Sequence, residues 1–238
     1  MNRPTHGPAT AVIAVDGPSG SGKSSVSRGV ARELGLRYLD TGAMYRALTW
    51  AVLRDGVTFG DHAAVARAAA GVELEWSTDP DESWIRVDGM DVSRAIREQS
   101  VTSLVSAVAA VPAVRVLLVG LQREAVSTAL DAGQGIVVEG RDIGAVVLPD
   151  AHLKVWLVAD PAVRAARRAA EDAAEGRAHV TAPEAIAADL ARRDRADATR
   201  AASPTTQADD AVVVDATELG LADVIETVVG LARERTSA

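Results

Sequence analysis

The sequence predicts an α/β fold in which a parallel sheet is covered by helices. Short β-branched runs alternate with helical patterns from residue 12 to 57, and the same alternation resumes from 136 to 234. Between 72 and 89 the apolar period drops to two, which marks a small antiparallel patch inserted into the parallel chain.

The first strand, Val12-Ile13-Ala14-Val15, runs into Asp16-Gly17-Pro18-Ser19-Gly20-Ser21-Gly22-Lys23-Ser24-Ser25. Gly17-x-x-x-x-Gly22-Lys23-Ser24 has the spacing of a phosphate-binding loop, whose glycines let the backbone curl until its N–H groups point at phosphate oxygens. A helix opening near Lys23, with Val26, Val30 and Leu34 on one face, adds its positive end at the same place. Lys23 then reaches the β- and γ-phosphates, and the Ser24 hydroxyl ligates Mg²⁺. Gly35 ends this helix and 36–40 forms a second strand; Thr41 is placed to cap a helix from 43 to about 53, closed by Gly56.

In the inserted patch, 72–76 and 84–87 alternate as half-exposed strands around a polar turn holding Pro80, and Asp88-Gly89 is a hairpin-turn signal. Such insertions carry specificity. Residues 101–110 read as a helix, and Pro112 starts another that runs to about 130. After a loop at 131–135, the buried strand 136–138 leads into Glu139-Gly140-Arg141-Asp142, and 153–158 is a further strand. Asp160-Pro161 opens an arginine-rich helix over 161–175 that stops at Gly176. Thr181-Ala182-Pro183-Glu184 has capping-box spacing and starts a second polar helix to about 200; a strand at 211–214 and an amphipathic helix at 221–234 close the chain. The expected organisation is a flexible tail at 1–10, core at 11–57, an insertion at 58–100, core at 101–160, a lid with its flanking helices at 161–200, and core at 201–238.

Composition narrows the function classes. At 238 residues and 48% hydrophobic content the chain suits one core with insertions, filled by Ala, Val, Leu and Ile because aromatics are only 3%. A net charge of −8 argues against a general nucleic-acid or anionic-membrane binder, so any anion site must be a local arginine cluster. With no cysteine, disulfides, thiolate metal sites and cysteine nucleophiles are excluded. No apolar run approaches the ~18 residues of a membrane span. The polar start, with two prolines before residue 10, lacks a signal-peptide core and reads as a loose tail on a cytoplasmic protein.

Ligands of open parallel sheets gather at the carboxyl ends of the strands. There the sequence places the phosphate loop, Asp40-Thr41, Glu139-Gly140-Arg141-Asp142 and Asp160, with Arg46 just beyond Thr41. Arg164, Arg167 and Arg168 share one helix face, as do Arg193, Asp197 and Arg200. Two arginine-bearing helices joined through 175–181 have the form of a lid, whose guanidinium groups suit the charge of a transferring phosphoryl group. His62, His152 and His179 have no partners at telling spacings, so Mg²⁺ would be held by phosphates and Ser24.

Several segments in order resemble the bacterial cytidylate kinase family. They are the phosphate loop, Leu39-Asp40-Thr41-Gly42-Ala43-Met44-Tyr45-Arg46, Asp91-Val92-Ser93-Arg94-Ala95-Ile96-Arg97, Ser106 through Arg115, Glu139-Gly140-Arg141-Asp142-Ile143-Gly144, and Arg192-Arg193-Asp194-Arg195-Ala196-Asp197. The resemblance covers nearly all of the chain beyond residue 10. It implies a three-layer P-loop NTPase fold with a five-stranded parallel sheet, a monophosphate-binding insertion and a helical lid. It also implies transfer of the γ-phosphate of ATP to CMP or dCMP with Mg²⁺, by a cytoplasmic monomer whose partners are these nucleotides.

By position, the resemblance assigns catalytic roles to Lys23, Arg141, Arg164 and Arg193. ATP falls to Gly17, Pro18, Ser19, Gly20, Ser21, Gly22, Lys23, Ser24 and Ser25 with Arg164, Arg167 and Arg168. The acceptor phosphate falls to Arg46, Arg115, Arg141 and Arg193, the cytosine edge to Ser106, Arg115 and Asp142, and the ribose and phosphate region to Thr41, Asp197 and Arg200. Two positions depart from the family pattern: Thr41 replaces Ser and keeps the hydroxyl, and Glu139 replaces Asp with one more methylene. The competing readings are a related kinase for UMP, AMP or shikimate, and a nucleotide-dependent module without an acceptor. The Asn-Lys-x-Asp of a switch GTPase is absent from the sequence.

Overall fold

The computed structural model describes residues 9–174, 183–198 and 205–236. The chain opens with two strand–helix units, β1 (Val12–Asp16) with α1 (Lys23–Leu34) and β2 (Arg37–Asp40) with α2 (Thr41–Arg54). The inserted stretch follows: α3 (His62–Ala70), then β3 (Leu74–Trp76), β4 (Ile85–Val87) and β5 (Met90–Asp91) as an antiparallel sheet. Two short helices, α4 (Gln99–Thr102) and α5 (Val105–Ala109), lead to the long α6 (Pro112–Asp131). The second half supplies β6 (Ile136–Gly140), β7 (Leu153–Val158), α7 (Pro161–Ala174), α8 (Pro183–Ala198), β8 (Val212–Asp215) and α9 (Leu221–Thr236).

The main sheet has the order β2-β6-β1-β7-β8 with every pair parallel, as the fold class requires. Strand residues alternate between its faces. Ile13, Val15 and Val137 pack against α1 and α9, whereas Ala14, Val138 and Leu39 pack against α2 and α6. Both faces are thus covered, which gives three layers and explains the near-continuous β-branched runs of the strands.

The insertion does not carry a core of its own. Val65 of α3, Ile85 and Val87 of β4, and Ile96 pack in one buried cluster with Met44, Leu48 and Ala51 of α2. Helix α2 is therefore shared between the main sheet and the inserted part. Among the described residues, no single helix is long and apolar enough to cross a membrane.

Local chemistry differs from the sequence reading at four places. Helix α2 is capped by Asp40, whose carboxylate accepts the Ala43 N–H at 2.8 Å, while Thr41 is already inside the helix. Asp61 caps α3, a helix whose alanines concealed its period. The helix expected at 101–110 is interrupted near Leu104, whose φ of −105° departs from helical geometry. A π-helical turn, Ile143–Val147, occupies a stretch where the sequence gave no periodic signal. Residues 175–182, 199 and 200, which include His179 and Arg200, lie outside the described residues.

Leu48 is fully buried where α2 meets the insertion. Leu48→Ala should lower stability by about 2–5 kcal/mol. Urea unfolding followed by tryptophan fluorescence should remain one transition, because Trp76 and Trp84 report on the insertion and Trp156 on β7. Two separated transitions would contradict the shared core.

Candidate active site

A cleft of about 500 Å³ opens at the carboxyl edge of the main sheet, and residues from both ends of the chain line it. On one side it is walled by the loop between β1 and α1, from Ser19 to Ser25; Gly17 and Pro18 lie behind that wall. Gly20 and Gly22 hold left-handed φ values of +75° and +95°, which a side chain would resist. At Gly17 a Cβ would stand 2.1 Å from the Leu157 carbonyl oxygen, so the loop can start where it does only with glycine.

Lys23 is folded into this loop and donates to the Pro18 carbonyl at 2.7 Å. Burial first, and the Arg141 guanidinium second, pull its ammonium down to about 7 against the pull of Glu139, Asp16 and Asp194. The Ser24 hydroxyl donates to Glu139 Oε2 at 3.0 Å, and the Tyr38 hydroxyl holds the other oxygen of the same carboxylate. Burial, then the charge of Asp40, pushes the Glu139 carboxyl above its usual range. The extra methylene of Glu139 thus ends in a fixed place, anchored from both sides.

The tip of the loop is gripped on all sides. The Ser19 N–H donates to Asp194 Oδ1 at 2.9 Å, its carbonyl accepts from Arg164 at 2.9 Å, and its hydroxyl accepts from Arg141 at 2.5 Å. Arg164 also pairs with Asp194 at 2.5 Å, so it braces the loop and is not part of the cleft wall. Arg167 ties the Ser21 carbonyl to that of Ala216, and Arg168, paired with Glu171 and Asp172, lines the cleft.

The opposite side carries the second set of predicted residues. Thr41 donates to the Glu139 carbonyl at 2.6 Å, and Arg46 pairs with Asp40 at 2.9 Å. Burial alone would raise the Asp40 carboxyl, but Arg46, the Ala43 N–H and Arg97 outweigh it and hold it below its usual range. Arg115 pairs with Asp142, both buried, and lies 5.8 Å over the Tyr45 ring. Ser106 donates to Asp197 at 3.1 Å, and the other oxygen of Asp197 is 3.5 Å from Arg141. Arg193 pairs with Asp189 at 2.7 Å, and burial lowers its pKa from the usual arginine value. The structure therefore brings Ser19 to Ser25, Thr41, Arg46, Ser106, Arg115, Arg141, Asp142, Arg167, Arg168, Arg193 and Asp197 to one cleft.

The cleft also contains groups that the sequence reading gave no role, among them Tyr45, Arg97, Thr102 and Leu190. Asp194 is another omission. It follows Arg193 directly and so points to a different helix face, toward Arg164 and the loop rather than toward Asp197. Arg97 had a signal, since it ends one of the family-like segments.

Sequence comparison agrees with this architecture. The sequence pattern of the cytidylate kinase family matches residues 13–234. Curated relatives include the cytidylate kinase of Rhodococcus opacus, 54% identical over 94% of this chain and 96% of that protein. Those of Rhodococcus jostii (53%, over 95% and 96%) and Streptomyces avermitilis (52%, over 95% and 94%) are similar to a like degree.

With Lys23 near 7, the loop lysine is mostly neutral at pH 8. A diphosphate brought against it restores the ammonium, so ADP binding at pH 8 should take up about one proton per site. Titration calorimetry in buffers of different ionisation enthalpy measures this directly; binding without proton uptake would contradict the depressed pKa.

Proposed function

The chain belongs to the cytidylate kinase family, and from that premise we propose that it transfers the γ-phosphate of ATP to CMP or dCMP. The observation that carries this reading is that the phosphate loop and an arginine-lined wall share one cleft. Arg141 joins them, reaching Ser19 on one side and Asp197 on the other. Such a cleft suits a reaction that needs alignment and charge neutralisation more than covalent help. The acceptor phosphate oxygen is already anionic, so a strong general base is not required.

In this reading the loop from Gly17 to Ser25 holds the ATP phosphates, with Lys23 on the β- and γ-oxygens. Arg141 and Arg193 neutralise the transferring group, and Arg167 and Arg168 stand on the ATP side. Arg164 acts through the loop, since its guanidinium is engaged by the Ser19 carbonyl and Asp194. Arg46 and Arg115 receive the acceptor phosphate and its surroundings, with Thr41 and Asp197 near its ribose and phosphate.

The donors around Ser24 fit Mg²⁺. The Ser24 hydroxyl and the Glu139 carboxylate are hard oxygen ligands, 3.0 Å apart. The described residues contain no group of three His, Asp or Glu side chains able to hold a metal, so phosphate oxygens would complete the coordination. When bound, the metal supplies charge neutralisation on the bridging phosphates. That all the assigned groups come from one chain supports a monomer, and the nucleotide substrates suit a cytoplasmic enzyme.

Base choice falls to Asp142 with Ser106 and Arg115. Cytosine presents an N4 amino donor beside O2 and N3 acceptors, and Asp142 can accept from that amino group. Uracil would set O4 against the carboxylate, acceptor facing acceptor. In an assay of ADP release across CMP, dCMP, UMP, AMP and shikimate, CMP and dCMP should react fastest. Asp142→Ala should lower the CMP-over-UMP preference by about tenfold or more. A variant that discriminates like the parent would overturn the base assignment; activity led by AMP or shikimate would overturn the reaction.

A further inference from the structure

A buried carboxylate sits directly behind the turn that carries Asp142. Asp16 ends β1, is 5% exposed, and does not line the cleft. The parallel register sets it level with Gly140 of β6. From there its two oxygens accept the backbone N–H groups of Ile143 and Gly144, each at 2.8 Å. These are the first amides of the π-helical turn Ile143–Val147.

The first amides of a helical turn find no acceptor within it, and the preceding residue ordinarily supplies one from its side chain. Here the preceding residue is an aspartate, Asp142, a residue type well suited to that task. It makes no capping bond; its carboxylate pairs instead with Arg115 inside the cleft. Asp16 supplies from the neighbouring strand what Asp142 would otherwise supply locally.

We propose that Asp16 is a positioning residue for acceptor-base specificity: by capping the 143–147 turn from β1, it leaves the Asp142 carboxylate to the cleft. The inference rests on the assignment of Asp142 to the cytosine edge made above. The surroundings keep the turn from moving away. A Cβ on Gly140 would stand 2.5 Å from Ile143 Cδ1 and 2.8 Å from Thr41 Oγ1, and one on Gly144 would stand 3.1 Å from Lys154 Cδ. Without the Asp16 oxygens, two buried N–H groups would lack acceptors, and the nearest carboxylate able to relieve them is that of Asp142. Turning back to cap them would take that carboxylate away from Arg115 and from the base. Burial lifts the Asp16 carboxyl to about 6, so at pH 7.5 it is mostly ionised and presents two acceptor oxygens.

The test is a double-mutant cycle on the ratio of kcat/KM for CMP over UMP at one saturating ATP concentration, where donor-side effects cancel. Asp16→Asn preserves size but offers one acceptor for two N–H groups. It should lower the ratio by about tenfold, as should Asp142→Ala. Added to Asp142→Ala, it should change the ratio by less than about twofold, because both act through one carboxylate. If Asp16→Asn keeps the parental ratio while Asp142→Ala loses it, the positioning role is wrong and the base assignment stands. If Asp142→Ala keeps the ratio, both fall. Equal losses from Asp16→Asn in both backgrounds would make its effect independent of Asp142 and overturn the proposal. A measurement that needs no Asp16 variant to fold is amide hydrogen exchange at Ile143 and Gly144 in Asp142→Ala. Protection should match the parent; its loss would assign the cap to Asp142 and overturn the proposal.

Discussion

The hydrogen-bonded pairing of β1 with β6 is the constraint on which the rest of the structure depends. Its parallel register sets Val15 beside Glu139 and Asp16 beside Gly140. Whatever leaves the carboxyl ends of these strands must therefore meet at one edge of the sheet. From β1 comes the phosphate loop; from β6 come Glu139, Arg141 and Asp142. The closest contacts between the two sides of the cleft follow from this: Ser24 with Glu139, Arg141 with Ser19, and Asp16 with the 143–147 turn.

Charge is arranged on the same frame. A chain with a net charge of −8 builds an anion site by concentrating arginines and giving each a carboxylate partner: Arg46 with Asp40, Arg115 with Asp142, Arg193 with Asp189, Arg164 with Asp194. Breaking a buried pair of this kind costs more than the pair itself contributes, because one charge stays behind without water. The arginines are thereby fixed in direction before any anion arrives, and that pre-organisation is what alignment-driven phosphoryl transfer needs.

Much of this was legible in the sequence. The phosphate loop shows in its glycine spacing, the strand ends in their polar residues, and the inserted sheet in its change of period. The features that were not legible depend on partners far apart in the chain. The order of strands cannot be read from any one strand, and with it goes the pairing of Asp16 with amides more than a hundred residues away. Thr41 and Asp40 are both capping residues by type, and only the backbone decided between them. Arg164, Arg167 and Arg168 share a helix face, yet the structure divides them: Arg164 braces the loop while the other two line the cleft. Helix periodicity fixes which side a residue is on, but not what it meets there.

The central claim is that the donor and acceptor halves form one continuous transfer site on a single chain. The most direct test is calorimetric binding of a compound that joins adenosine and cytidine through a chain of phosphates. One molecule should bind per chain, more tightly than ADP or CMP alone, and should displace both nucleotides. A compound that displaced only one of them, leaving the other bound at its usual affinity, would show that the two halves are not one site.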